Sequence, residues 1–77
     1  MNKNLLISKM KLFGDTQQML ADALGLSLNR TNAKINETDG AEFTQSEIKK
    51  IMIRYNLTSD EVVQIFLTEN DTVKDIG

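Results

Sequence analysis

The run TQQMLADALGLSLNRTNAKIN, from Thr16 to Asn36, constrains this chain more than any other stretch. Leu20 and Leu24 stand four apart with Ala21 beside them, the spacing of one buried helical face over about residues 17–24. Gly25 then breaks the helix, Leu26 can drop inward, and Ser27 offers a side-chain oxygen to cap a second helix over about residues 28–36. The interval between them is too short for a flexible linker, so the spacing predicts a helix-turn-helix. The second helix keeps one strongly apolar position for the core, Ile35 in its last turn, and leaves LNRTNAK largely outward. A face of that kind is either solvated surface or a surface that meets something polar.

The rest of the chain supplies helices to pack against this pair. Leu6, Met10 and Phe13 follow helical spacing and predict a first helix over about residues 3–13, with Leu5 and Leu12 widening its buried stripe. Gly14 ends it in a left-handed turn, and Asp15 or Thr16 caps the next helix. Residues 37–42, ETDGAE, are turn chemistry with Asp39-Gly40 at the tip. Phe43-Thr44-Gln45-Ser46-Glu47-Ile48 and Leu57-Thr58-Ser59-Asp60-Glu61-Val62 then each pair a Thr cap with a Glu three residues later, between apolar residues. Both are capping boxes with a hydrophobic staple. They predict a fourth helix over about 45–55, burying Ile48, Ile51, Met52 and Tyr55, and a fifth over about 59–68, burying Val62, Ile65 and Phe66. Val63 and Leu67 add a second stripe to the fifth helix, which is either a broad core face or a partner surface. Residues 69–77 read as a loose, polar, acidic tail. The whole is an all-α bundle of about five helices in one domain over 1–68.

Composition narrows the chemistry. The 77 residues hold no cysteine and no histidine, which removes disulfides, thiol nucleophiles, zinc ligation by either residue and imidazole acid–base catalysis. A serine nucleophile would have no histidine base, and no Gly-rich phosphate loop occurs, so the chain is not expected to be an enzyme or to hold a cofactor or metal. Glu37, Asp39 and Glu42 lack the length and spacing of a calcium loop. The four methionines are expected to fill the core. The start MNKNLLISKMKLFGD lacks the apolar region and cleavage site of a signal peptide, and no apolar run could span a bilayer, which reads as cytoplasmic.

The net charge of −2 is unevenly spread. Residues 1–36 carry Lys3, Lys9, Lys11, Arg30 and Lys34 against Asp15 and Asp22, whereas 58–77 carry Lys74 against Asp60, Glu61, Glu69, Asp71 and Asp75. The molecule therefore has a basic end and an acidic end.

Gln17, Leu20, Ala21, Leu24, Gly25, Leu26 and Ser27 resemble the Q-x-x-L-A-x-x-L-G-[IL]-S core of the lambda-repressor-like helix-turn-helix family. Lys34-Ile35-Asn36, followed by E-F-T-Q-S-E-I, is similar to small phage-type repressor or Cro-like members, and the likeness spans roughly residues 5–67. The resemblance implies a recognition helix, residues 28–36, in the DNA major groove, with helix 2 across the backbone. It assigns base-edge contacts to Leu28, Asn29, Asn32 and Ala33. Asn can pair with adenine, and Leu or Ala can meet a thymine methyl. It assigns phosphate contacts to Gln17, Arg30 and Lys34, with Lys9 or Lys11 as further cations. Two positions depart from the family pattern, because Thr31 and Lys34 stand where larger apolar side chains are usual. Lys34 is then expected to lay its stem on the core and send its ammonium to a phosphate.

The expected partner is an operator in double-stranded DNA, bound by a homodimer through Val63, Phe66 and Leu67. The cellular place implied is bacterial cytoplasm, at the nucleoid when bound. The alternative is a protein-interaction module on the same scaffold that modulates a partner repressor.

Overall fold

A short polar side chain opens each α-helix among the described residues by taking up a backbone N–H that has no helical partner. In the computed structural model, which describes residues 1–67, these caps are Asn2, Thr16, Ser27, Thr44 and Thr58. Each accepts from the N–H three residues on, at 3.1 Å. They open α1 (Lys3–Leu12), α2 (Gln17–Leu24), α3 (Leu28–Asn36), α4 (Gln45–Arg54) and α5 (Ser59–Val62). The architecture is all-α, with five helices and no strand among the described residues. Thr16, and not Asp15, caps α2, which leaves the Asp15 carboxylate for another task. Both capping boxes form in full, with Glu47 and Glu61 returning to the N–H of Thr44 and Thr58 at 2.9 Å.

One apolar cluster joins these elements. Leu6 and Met10 of α1, Leu20 and Leu24 of α2, Ile35 of α3, Ile51 of α4 and the flanking Phe43, Tyr55, Leu57 and Ile65 all contribute to it. Phe43 and Leu57 are the staple residues before each Thr cap, so each device both starts a helix and anchors its entry to the core. Ile48, Met52, Val62 and Phe66, expected to be buried, are only partly so, packed against the edge of the cluster.

Two elements depart from their expected form. α1 ends at Leu12, so Phe13 falls outside the helical register that would have carried it inward. Phe13 is 51% exposed and instead tilts onto the Tyr55 ring, with centroids 5.5 Å apart. Leu12 does not widen the stripe. It follows Met10 by two residues, about 200° around the helix, and is 74% exposed. The fifth helix is α-helical only over Ser59–Val62 and continues as a π-helical turn, Val63–Leu67. That wider turn presents the Ile65 carbonyl to α1, where the Asn2 N–H donates to it at 2.7 Å. The remainder of the expected fifth helix and the acidic tail lie outside the described residues. No helix among the described residues is long and apolar enough to cross a membrane.

Candidate nucleic-acid interface

The pair α2 and α3 is set by three residues. Gly25 takes a left-handed conformation (φ 72°) that residues with a side chain adopt at a cost. The Leu26 N–H closes back on the Ala21 carbonyl at 2.9 Å, and Ser27 at once begins the next helix. Leu26 is partly buried against the core, so the turn is pinned from within. α2 and α3 make more extensive mutual contact than any other two α-helices.

This geometry divides α3 lengthwise. Thr31, Lys34 and Ile35 are buried. Leu28, Asn29 and Arg30 at its start are exposed, and Asn32 and Ala33 are half-buried. Thr31 fits a fully buried place because its hydroxyl donates to the Ser27 carbonyl one turn back, at 3.0 Å. The Asn32 side-chain oxygen is buried and has no hydrogen-bond partner. Gln17, at the first position of α2, is half-buried.

Lys34 does not reach solvent as a phosphate contact requires. Its side chain is 5% exposed, and the ammonium donates to Glu47 Oε1 at 2.6 Å, a carboxylate itself 12% exposed. The reason is chemical. An ammonium buried beside an apolar cluster needs a counter-ion, and the capping-box glutamate of α4 is already oriented to provide one. Burial alone would raise the Glu47 pKa, but the hydrogen bonds from Lys34 and Thr44 bring it below its ordinary 4.5.

Other cations are also engaged. Lys9 pairs with Glu61, which holds that carboxyl low. Lys3 donates to Asn36 Oδ1 at 2.8 Å. Arg54 grips Asp15 through two hydrogen bonds, at 2.6 and 2.7 Å, while the Tyr55 hydroxyl donates to the same carboxylate. The Arg54 bonds are the main reason Asp15 is held below its ordinary 3.8. Burial, and then the bond to Asp15, push the Tyr55 phenol well above its ordinary 10.0.

Lys3, Lys11, Arg30, Lys49 and Lys50 remain exposed and without an ion pair among the described residues. Lys49 and Lys50 were not among the cations expected to meet DNA. Glu47 precedes Lys50 by three residues and looks like its helical partner, yet that carboxylate is turned to Lys34. No periodicity links positions 34 and 47, so nothing in the sequence announced the exchange.

In the π-helical turn, Val63 and Leu67 are 49% and 69% exposed. Phe66 differs from them. It is half-buried and meets Phe43 edge to face, with centroids 6.1 Å apart, so it serves its own core as well as any partner. No group of acidic side chains among the described residues is placed to hold a metal ion. Comparison with protein-family models, with curated proteins and with solved structures finds no match to this chain.

Proposed function

We propose that the chain is a sequence-specific regulator that binds double-stranded DNA, a small phage or mobile-element repressor or Cro-like protein on a lambda-repressor-like helix-turn-helix scaffold. α3 enters the major groove and α2 lies across the backbone. The division of α3 carries this reading: one face is fastened to the domain, while Leu28, Asn29 and Arg30 stand exposed at its start, the end that meets base edges in such docking. Asn32 supports it. Its unpaired buried oxygen costs about 1–3 kcal/mol, and a side-chain rotation to a base edge would relieve that cost. Arg30, Lys11, Lys49 and Lys50 supply the free positive charge, and Gln17 meets a phosphate at the α2 N-terminus. Leu67, with Val63 and part of Phe66, forms the homodimer contact. A two-fold dimer reads an inverted repeat with half-sites about one helical turn apart. It acts by occupying its operator.

Selection from a random DNA library, followed by anisotropy titration of the winner against scrambled DNA, tests the reading. An enriched inverted repeat is expected, and the absence of sequence preference at low salt would sink the proposal. Asn29→Ala and Asn32→Ala relax base preference. Arg30→Ala weakens all DNA alike and lowers the salt slope by about 1. Equal effects of all three on specific and scrambled DNA overturn the roles. Sedimentation at micromolar concentration tests the dimer, which Leu67→Asp is expected to dissociate.

A second reading is favoured by the ion pairs of Lys9 and Lys34 within the fold, which compensate two cations of the basic end. It is the protein-interaction module that modulates a partner repressor, and it predicts stoichiometric capture of that repressor with no DNA preference.

A further inference from the structure

α3 is fastened by an unusually polar set of side chains. Thr31 and Ile35, four residues apart, lie along one line of the helix surface, and with Asn32 and Ala33 only half-buried beside them that line resists roll weakly. Lys34 lies off that line. Its ammonium meets Glu47 Oε1 at 2.6 Å, and a charged hydrogen bond is directional where apolar packing is not. Glu47 cannot follow a rolling α3, because the same Oε1 accepts the Thr44 N–H at 2.9 Å while the Glu47 N–H donates to Thr44 Oγ1 at 3.1 Å. The start of α4 is thus a fixed post, and Lys34 ties α3 to it.

We propose that the Lys34–Glu47 pair sets the roll of α3 and thereby decides which of its outer side chains meet base edges. Neither residue touches DNA; both are positioning residues. The inference rests on the DNA-binding reading above. Side-chain tips about 6 Å from the helix axis move about 2 Å in a 20° roll, whereas a binding constellation tolerates about 0.5 Å. Loss of the tie therefore removes sequence preference before it removes the fold.

A double-mutant cycle of Lys34→Met and Glu47→Gln tests this. Met keeps the stem, and Gln at position 47 preserves the capping box. Replacing both charges of a buried pair is often neutral for stability, so the double variant is expected to melt within about 5 °C of the parent chain. It is also expected to lose at least tenfold in the ratio of selected to scrambled DNA binding, with backbone amide shifts moving over residues 28–36 and not over 17–24. A double variant that folds with unchanged ratio and unchanged α3 shifts overturns the proposal. If the double variant fails to fold, Lys34→Arg replaces it. Arg keeps the charge and displaces the contact point, so a folded Arg variant with undiminished ratio equally overturns it. If the parent chain selects no DNA, the DNA-binding reading fails by itself. The amide shifts of α3 then decide the roll, upholding it if they move and ending it if they do not.

Discussion

α2 and α3 are neighbours of similar length on either side of Gly25, yet the domain holds them by different physics. α2 buries Leu20, Ala21 and Leu24. α3 buries Thr31, Lys34 and Ile35, of which only Ile35 is a large apolar side chain. Apolar burial is strong and indifferent to direction, while a hydroxyl and an ammonium hold only in one geometry. α2 is therefore seated by how much it buries, and α3 by where its polar atoms point. The contrast suits a domain in which one helix is scaffold and the other must present a surface in register.

The largest break in the contrast is expected on the α2 side. Leu20→Ala removes a fully buried side chain and should cost about 3–5 kcal/mol, close to the whole stability of a domain this small. Thermal melts followed by circular dichroism should find it largely unfolded at 37 °C. Lys34→Ala comes next, at about 2–3 kcal/mol. It strands Glu47, but the carboxylate keeps the Thr44 N–H and slight contact with solvent, so the loss falls below that of a fully buried pair. Urea titration should place it between Leu20→Ala and Asp15→Asn. The last variant weakens the bonds to Arg54 and Tyr55 for about 1–2 kcal/mol.

Acid should act on the polar ties and spare the apolar ones. Asp15, Glu47 and Glu61 all have pKa values lowered by folding. Their contribution is present above the unfolded values, near 4, and is lost as pH falls through the lower folded values. The melting temperature should hold from pH 7 to about 5 and then fall. The decline should be shallower in Asp15→Asn and Glu47→Gln; identical acid profiles for the parent and both variants would count against these ties. The smallest effects belong to the caps: Thr16→Ala and Ser27→Ala should each cost about 1 kcal/mol.

The same contrast explains what could be read in advance. α2 was legible to its last residue, because apolar spacing, Gly25 and the caps are local signals. Both capping boxes were legible for the same reason. The polar half was not. Lys34 looked like a surface cation because its partner lies 13 residues away on another helix, and an ion pair leaves no periodic trace in sequence. Phe13 was read as core because helical spacing cannot say where α1 stops, and the π-helical turn at Val63–Leu67 carries no residue signature. At the candidate interface, the outward start of α3 and the exposed, unpaired Arg30 and Lys11 were legible, while the pairing of Lys9 and Lys34 was not.

The hydrogen bond from Asn2 to the Ile65 carbonyl bears on how this domain can be wired into larger assemblies. It places the beginning of α1 and the end of the π-helical turn at one corner, so the path of the described chain nearly closes on itself. Domains whose ends meet tolerate re-joining and re-cutting. A short Gly/Ser bridge across that corner, with new ends opened at Asp39-Gly40, should give a permuted chain that folds. A second module fused at either end of the described chain would hang from the same corner.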